Sequence, residues 1–474
     1  MQVASMHFVA RSGQKLADQR LQENLKKLAT KFVSARAKAI TELDDFEATR
    51  DEAVRIRNET LANLDGWLSL FEESATARGT VVLYAETPQQ AAQLVADIAK
   101  HHDVKTAIKS KSMVSEEMAL NSVLERNGVK VRETDLGEYI LQINNNEPPS
   151  HIIAPVVHKD KAEVADLFAL NHGTPRKTDI QELTREAREV LRPQFLSADM
   201  GITGGNFVIA ETGSVAIVTN EGNEGMCTIV PRVHVAVTGI EKVIPNLNAL
   251  ATLLRLLPRS ATGQSISNYV SLLTGVRAPG ELDGPEFNYV ILLDGGRSSL
   301  LGTEFQEMMR CIKCGACMNH CPVYQKIGGH AYGWVYPGPM GSVLTPSYIG
   351  IENAIDLPQA ATLCGECHVV CPVKIPLPEL LRKLREKQTE RGLRPWRERV
   401  FLRMWAWLSV RPVLYHTVTR MASRALRFMS YTVQGAAMGP QVRHLRMAGG
   451  WTEHRTMPAP SGKTFKELYA QRAK

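Results

Sequence analysis

Long apolar segments are missing from this sequence. No stretch approaches the ~18 consecutive uncharged apolar residues that a membrane-spanning helix needs, which argues against an integral membrane protein. The first twenty residues contain no uninterrupted apolar segment and no twin-arginine pair, so the sequence indicates no export signal. We therefore expect a soluble cytoplasmic protein that reaches the inner face of the membrane, if at all, only as part of a complex.

Nucleotide-binding fingerprints are also missing. The sequence contains neither GxGxxG nor a P-loop, and this absence argues against flavin or nicotinamide chemistry on this chain. No segment resembles a DNA-reading helix, so we expect no nucleic-acid partner. The 474 residues are 44% hydrophobic and 22% charged, which is typical of globular proteins, and their number predicts two to four domains.

Acidic residues are scarce in the C-terminal part of the chain. Residues 391–474 contain 16 Lys and Arg but only 3 Asp and Glu, whereas the whole chain has a net charge of only +7. Such a local excess predicts an anionic neighbour, either phospholipid head groups or an acidic partner subunit, unless it only faces solvent. Residues 401–414 predict a helix with an aromatic face that ends at Pro412. We expect this helix to dock on protein rather than on a membrane.

Cysteine is concentrated in one segment. Seven of the eight cysteines lie between Cys311 and Cys371, and in a reducing cytosol such clustering indicates metal binding or catalysis rather than disulfides. The first group, CIKCGACMNHCP, has the C-x2-C-x2-C-x3-C-P spacing of bacterial ferredoxins. Three thiolates on one tight loop, which Gly315 allows to curl, can reach three corners of an iron–sulfur cubane. A zinc ribbon would instead show two separated C-x2-C pairs.

The second group, CGECHVVCP, has the same spacing without its first cysteine, because Ala361 occupies that position. In two-cluster ferredoxins the fourth cysteine of each run binds the other cluster. We therefore predict two [4Fe-4S] clusters, the second with three cysteine ligands and with a [3Fe-4S] form as the alternative. His320 and His368 are adjacent to ligand cysteines, and we expect them to point away. The predicted ligands are Cys311, Cys314, Cys317 and Cys371 for cluster 1, and Cys321, Cys364 and Cys367 for cluster 2.

Elsewhere the pattern predicts helices over residues 15–71 and then an open α/β sheet. Apolar segments at 81–85 and 104–109, VKVRE and HIIAPVV predict strands, and a helix should begin at Ser115 as N-cap and end at Gly128. Two apolar runs within residues 207–219 predict a hairpin, and three further strands follow it. The Gly- and Pro-rich insert between Cys321 and Cys364 predicts an irregular loop.

Polar residues border the predicted hairpin, where strands of an α/β sheet commonly place a ligand. The alternative is that the glycines among them only form tight turns. Lys109, Lys111 and Ser115 are a second candidate, for an anion site, whereas Cys227 and His234 are expected to be structural. The candidate pocket consists of Gly204, Gly205, Asn206, Glu211, Asn220, Glu221 and Asn223.

The chain has an α/β body that contains ITGGNFVIAETGSVAIVTNEGN and is followed by CIKCGACMNHCPVY and ATLCGECHVVCPVKIPLP. This combination resembles the lactate utilisation protein B family. The resemblance implies a LUD domain related to the fold of ribose-phosphate isomerase and CoA transferases. It also implies a role beside other proteins in oxidising L-lactate to pyruvate. The predicted organisation is an N-terminal helical segment (1–75), the LUD domain (76–300), a small helical ferredoxin-type domain (301–390) and a basic helical segment (391–474).

Three functions are compatible with these residues. The first is an iron–sulfur electron-transfer subunit of a lactate-oxidising complex, with other subunits and electron donor and acceptor proteins as partners. The second is an acyl- or CoA-transfer enzyme with Glu211 as nucleophile, although such an enzyme needs no iron–sulfur clusters. The third is a redox-sensing binding protein. The sequence assigns no catalytic residue.

Overall fold

The structure is a computed structural model that describes residues 3–431, 440–442, 445, 452 and 456–472. It divides into two compact units, residues 1–386 and residues 387–474. The first unit contains the predicted α/β sheet and all eight cysteines. The second contains the basic C-terminal segment.

Four helices form the N-terminal part of the first unit. Helix α2 begins after Asp18, whose carboxylate accepts the backbone N–H of Leu21 at 3.0 Å, as an N-cap does. The predicted helical segment is therefore confirmed, and it extends further in both directions than residues 15–71. The helices are α1 (Phe8–Ala17), α2 (Gln19–Thr41), α3 (Phe46–Ala62) and α4 (Leu64–Thr76).

Ten strands and the helices between them follow in the first unit. The strands are β1 (Thr80–Ala85), β2 (Thr106–Lys109), β3 (Lys130–Glu133), β4 (Met200–Thr203), β5 (Phe207–Ile209), β6 (Ser214–Thr219), β7 (Val233–Gly239), β8 (Val243–Ile244), β9 (Tyr269–Leu273) and β10 (Phe287–Leu293). The helices are α5 (Pro88–His101), α6 (Met113–Glu117), α7 (Leu120–Arg126), α8 (Leu136–Ile143), α9 (Lys161–His172), α10 (Ile180–Leu196), α11 (Asn223–Ile229) and α12 (Leu247–Ala261).

The main sheet is parallel throughout, with strand order β1-β10-β7-β4-β2-β3. Successive residues of β10 pack on opposite faces, Ile291 against α5–α7 and Leu292 against α4 and the second sheet. Both faces are therefore covered, which explains why the central strands are apolar at nearly every position. The predicted open α/β architecture is confirmed.

A second, four-stranded sheet has the order β8-β5-β6-β9. Strands β5 and β6 form the predicted hairpin, with Val208 opposite Val215. Gly213 in its turn has φ +64°, and a Cβ there would lie 2.4 Å from the backbone N of Ala75. The hairpin can therefore approach α4 closely only with glycine at this position.

The predicted strand at HIIAPVV is wrong, because residues 151–157 form turns and bends. The imidazole Nδ1 of His151 accepts the backbone N–H groups of Ile153 (2.9 Å) and Ala154 (3.1 Å). The backbone N–H of Ser150 also bonds the carbonyl of Pro155 at 3.0 Å. These local bonds fold the segment back on itself, and Pro155 has no N–H to offer a neighbouring strand.

The helix predicted from Ser115 is also wrong in detail. Ser112 is the N-cap, since its Oγ accepts the N–H of Ser115 at 3.3 Å. Ala119, at φ +50°, then separates α6 from α7. The predicted stop is confirmed, because α7 ends just before Gly128, which has φ +80°.

The insert between the two cysteine groups, predicted as an irregular loop, contains a largely buried helix. Gly338–Ile349 is helical, with Pro339 in the first turn, where its missing N–H costs nothing. Pro346 lies inside the same helix. The remaining helices of this region are α13 (Ala316–Asn319), α14 (Tyr324–Ile327), α15 (Gly338–Ile349), α16 (Glu366–Val369) and α17 (Leu377–Glu390).

The second unit begins with two helices, α18 (Trp396–Ser409) and α19 (Pro412–Phe428). The predicted aromatic helix ends before Pro412, which occupies the first turn of α19. A short antiparallel pair and a last helix follow, β11 (Gln441–Val442), β12 (Met457–Pro458) and α20 (Phe465–Arg472). Across the described ranges, no helix is both long and apolar enough to cross a membrane.

Candidate iron–sulfur centre and adjacent cavity

Cysteines of both groups surround the first of two small cavities. The loop before α13 supplies two of them and the first turn of α13 a third, and the loop turns sharply because Lys313 and Gly315 have φ +57° and +76°. The fourth comes from the second group, sixty positions after the first. The cysteines that line this cavity are Cys311, Cys314, Cys317 and Cys371.

The chemistry of this cavity fits an iron–sulfur cluster. Backbone N–H groups donate to two of the sulfurs, Lys313 to Cys311 and Ile375 to Cys371, both at 3.4 Å. Burial and the neighbouring sulfurs raise the pKa of the Cys314 thiol to about 12. Four adjacent thiolates, of which Cys314 and Cys371 are buried, are therefore unfavourable alone, and iron ions would supply the positive charge that they need.

The second cavity also combines the two groups. It is lined by Cys321 of the first group, by Cys364 and Cys367 of the second, and by Ala361 and Glu366. Gly365 has φ +90°, the counterpart of Gly315 in the first loop. Three thiols and one carboxylate thus surround a cavity in which Ala361 offers no ligand atom.

The two histidines in the loops bond the backbone instead of facing the cavities. His320 Nδ1 lies 3.0 Å from the carbonyl oxygen of Ala316, and His368 Nδ1 lies 3.0 Å from that of Ile375. Neither ring lines a cysteine cavity. This agrees with the prediction that they point away.

Three arginines of the N-terminal helices, none of them predicted from the sequence, bond the cysteine region or the segment just before it. Arg36 donates to the carbonyl of Val370 (2.9 Å), and Arg50 donates to that of Cys371 (2.6 Å). Arg57 is fully buried and donates to the carbonyls of Val243 (2.8 Å), Met309 (2.9 Å) and Glu241. In the sequence each of them is one of many charged residues on a predicted helix, so no local sequence pattern distinguishes it from the others.

A larger cavity of about 370 Å³ lies at the carboxyl ends of β2, β4 and β7. Of the predicted pocket residues, Gly204, Gly205, Asn206, Asn220 and Glu221 line it. The two glycines are explained by packing, because a Cβ on Gly205 would lie 2.9 Å from Val215 and one on Gly204 would lie 3.1 Å from Ser112.

Two predicted pocket residues lie outside this cavity. Glu211 is exposed in the β5–β6 turn, where its backbone N–H bonds the carbonyl of Pro245 at 3.0 Å. Asn223 bonds the hydroxyl of Thr134 at 3.2 Å. The prediction was wrong for Glu211 because it lies in the turn, whereas the opposite end of the hairpin faces the cavity. Asn223 follows that opposite end, but it does not line the cavity and its side chain bonds Thr134 instead.

Among the remaining single-residue predictions, the anion site is wrong and the structural residues are as predicted. Lys109 is buried between Glu116 and Glu133, both at 2.9 Å, so its charge is already balanced and the predicted anion site is wrong there. Ser115 belongs to the same network. Cys227 and His234 are structural, as predicted. Cys227 is fully buried, and His234 contacts Thr203 (3.0 Å) and Asn288 (2.8 Å).

One end of the large cavity, the lysine end, is formed by Lys242, Lys313 and Tyr336. Lys242 is only 6% exposed, and its Nζ lies 3.4 Å from the carbonyl oxygen of Cys311. Burial lowers its pKa to about 8. The Nζ of Lys313 lies 3.9 Å from the Tyr336 ring centroid. The lysine end thus joins the cavity to the loop that carries Cys311.

Carboxylates complete the cavity wall. Burial alone would raise the pKa of Glu241, but Arg297, Lys242 and Lys313 hold it at about 2. Glu241 Oε2 accepts from Arg297 at 2.7 Å, and Arg297 also bonds both oxygens of Glu117 (2.9 and 3.1 Å).

At the opposite end of the cavity, burial and the nearby Asp135 raise the pKa of Glu224 to about 8. The cavity is therefore cationic at one end and acidic at the other.

Three family models match successive parts of the chain. They describe a LUD domain (residues 68–293), a 4Fe-4S dicluster domain (residues 307–375) and the C-terminal region of lactate utilisation protein B (residues 379–474). No solved structure matches the chain.

Curated relatives match over most or all of their length. A lactate utilization protein B from Geobacillus kaustophilus (strain HTA426) is 44% identical over 92% of this chain and 90% of its own. Proteins of the same name from Lysinibacillus sphaericus (strain C3-41) and Shouchella clausii (strain KSM-K16) are 40% and 41% identical, over 100% of this chain and 98% of theirs. With its 4Fe-4S dicluster domain and a role in lactate utilisation, the chain belongs to the lactate utilisation protein B family.

Proposed function

We propose that this protein is the iron–sulfur electron-transfer subunit of a complex that oxidises L-lactate to pyruvate. On this proposal the chain holds two clusters and passes electrons between partner proteins. Cluster 1 is bound by Cys311, Cys314, Cys317 and Cys371, and cluster 2 by Cys321, Cys364 and Cys367.

The observation that carries the proposal is the exchange of cysteines between the two cavities. Each cavity contains thiols from both groups, which is the arrangement of a two-cluster ferredoxin. Clusters that exchange ligands in this way lie close together, and closeness favours electron passage from one to the other. A single isolated metal site would not need this exchange.

Positive charge near the first cavity supports a redox role. Arg36 and Arg50 are buried, and both donate to carbonyls of the loop that carries Cys371. A reduced cluster carries one more negative charge than an oxidised one, and buried cations stabilise that charge. These arginines therefore favour a cluster that accepts an electron.

The oxidation of one L-lactate to pyruvate releases two electrons and two protons. Two clusters that each carry one electron can together hold both electrons until an acceptor protein removes them. The protons go to solvent or to groups of the subunit where lactate reacts.

The test uses the full chain, reconstituted anaerobically and mixed with the other proteins of a lactate utilisation system. We expect L-lactate to bleach the visible absorbance of the clusters only when those proteins are present, and D-lactate to serve as a substrate control. Absence of bleaching in the complete mixture would contradict the proposal. Equal bleaching of the isolated chain would make it a self-sufficient enzyme instead.

The position of Glu211 argues against the acyl-transfer alternative. A carboxylate nucleophile must face a bound acyl group and an oxyanion site. Glu211 is exposed in a hairpin turn and does not line the cavity. We expect Glu211→Gln to leave lactate-dependent bleaching unchanged.

A further inference from the structure

We propose that the lysine end of the large cavity binds one small 2-hydroxy carboxylate. Lys242 and Lys313 would hold the carboxylate, and Glu241 would accept a hydrogen bond from the hydroxyl group. The choice of lactate as the first ligand to test rests on the function proposed above, whereas the chemistry of the site rests on its own geometry.

An ammonium group without a partner carries the proposal. The Nζ of Lys313 is shielded from solvent, and none of the described residues forms a hydrogen bond with it. Its contact is the face of the Tyr336 ring at 3.9 Å. A buried charge is costly unless it is paired, and this one lines a cavity large enough for an anion.

The nearby carboxylates are already engaged with Arg297. Glu241 and Glu117 both bind this guanidinium, and Glu117 also accepts the hydroxyl hydrogen of Tyr336 at 2.8 Å. Three buried cations, Lys242, Lys313 and Arg297, thus face two carboxylates. Among these side chains, without Cys311 and its cluster, the cations exceed the carboxylates by one, and a single monocarboxylate would make the two numbers equal.

A second atom without a hydrogen-bond partner indicates that the ligand carries a hydroxyl group. Glu241 Oε1 is buried and has no hydrogen-bond donor among the described residues. The Glu241 side chain lines the same cavity as the two lysines. A ligand with a hydroxyl group beside its carboxylate would supply both missing partners, whereas a plain carboxylate would supply only one.

The rest of the wall suits a short ligand with an apolar end. Val114, Ile217 and Val237 contribute apolar surface, and Ser112 and Thr238 contribute hydroxyl groups. The volume of about 370 Å³ is at the small end of the range for ligand pockets. A three-carbon acid bound at the lysine end would occupy only part of this volume.

The competing explanation is that the two lysines only balance the charge of cluster 1. Against it, the backbone N–H of Lys313 bonds the sulfur of Cys311, but its Nζ bonds no sulfur among the described residues. Lys242 reaches the carbonyl oxygen of Cys311 rather than its thiol. Cys311 interacts electrostatically with both lysines, but neither ammonium group forms a hydrogen bond with its sulfur, so each can still donate to a ligand in the cavity.

The experiment is calorimetric titration of the isolated, oxidised, iron-loaded full chain with L-lactate and with propionate, which lacks the hydroxyl. We expect saturable binding of L-lactate and binding of propionate that is weaker by roughly ten-fold, since a hydrogen bond to a charged group is lost. Lys242→Gln and Lys313→Gln should each weaken L-lactate binding by roughly ten-fold or more. Lys130→Gln, at an exposed position on β3, should leave it unchanged.

Three results would overturn the proposal. They are the absence of saturable L-lactate binding, equal binding of propionate, and affinity unchanged in both lysine variants. If the lysine variants lose iron, Ala261→Phe decides, because Ala261 lines the same cavity from α12 and a phenylalanine there narrows it, which should weaken binding while iron is retained. Binding that is unchanged in Ala261→Phe would place the ligand elsewhere. Binding without lactate-dependent bleaching would contradict the proposed function but not this site.

Discussion

Cys311 and Cys371 lie sixty residues apart in the sequence but line one cavity. We expect Cys311→Ser and Cys371→Ser to remove the same cluster, so that about half of the iron is lost in each and the same EPR signal disappears. Iron analysis and EPR of anaerobically reconstituted protein measure this.

Cys227→Ser is the matched control, because Cys227 is buried in the α/β part and lines neither cysteine cavity. It should keep both EPR signals. Loss of different clusters in Cys311→Ser and Cys371→Ser would show that the ligands are not exchanged between the groups.

Ala361 lines the second cavity at the position where a fourth cysteine would stand in a complete run. We expect Ala361→Cys to convert a three-cysteine site into a four-cysteine one and to slow the loss of its cluster in air. EPR before and after exposure to oxygen measures the change. An unchanged signal and decay rate would mean that residue 361 does not reach the cluster.

His234 provides a pH-dependent test of the sheet. Burial lowers its pKa to about 4, whereas an unfolded chain titrates near pH 6.5. Below that pH the unfolded state binds more protons than the folded state, so stability is full above pH 6.5 and falls as the pH decreases toward 4. We expect His234→Gln to reduce the slope of unfolding free energy in this window by about 1.4 kcal/mol per pH unit.

Denaturant titrations between pH 5 and 7 measure that slope. His7→Gln is the control, because His7 is exposed and should leave the slope unchanged. A wild-type slope in His234→Gln would mean that this ring titrates normally in the folded protein.

At the scale of elements, helix α3 fixes the cysteine region through Arg57, which donates to three carbonyls and is fully buried. Arg57→Met would leave these buried acceptors unpaired, so we expect the free energy of unfolding to fall by about 3 kcal/mol or more. Arg55→Met on the same helix removes exposed pairs with Glu52 and Glu59, which solvent screens, so its effect should be much smaller than that of Arg57→Met. Equal effects in urea unfolding would contradict this role of Arg57.

The elements that could be predicted well are those with a strong local sequence pattern. The continuous apolar run of β10 and the cysteine spacing around Gly315 each reflect a local requirement. The predictions failed where long-range or side-chain bonds decide the structure. His151 folds a would-be strand onto itself, and the buried helix α15 forms in a Gly- and Pro-rich insert.

The same limit of prediction from sequence applies to the residues of the large cavity. Gly204, Gly205 and Asn206 could be placed at a strand end because the carboxyl ends of parallel strands meet at one edge. Lys242 and Lys313 could not, because they are far apart in sequence and only the packing of the cysteine loop on the sheet brings them together. Arg36, Arg50 and Arg57 were missed for the same reason.

At the scale of the whole molecule, the basic C-terminal unit raises the question of membrane binding. Phe401, Trp405 and Trp407 are exposed on α18, and Arg411 lies over the Trp407 ring at 4.0 Å. We expect these helices to dock on a partner protein, so the full chain should not sediment with anionic liposomes at physiological salt. Salt-sensitive co-sedimentation that disappears when residues after Arg391 are deleted, with the clusters intact, would instead make the unit a membrane anchor.

The exchange of cysteines between the two cavities has a consequence for biosynthesis. A ribosome that has made Cys311, Cys314 and Cys317 must still translate through Cys371 before the first site has its fourth thiol. The second site depends on Cys321, made early, and on Cys364 and Cys367, made late. A nascent chain halted between the two groups therefore has neither proposed ligand set complete. Iron loading of the first site must follow translation through Cys371 and that of the second through Cys367, so neither site can be completed before the second cysteine group has been made.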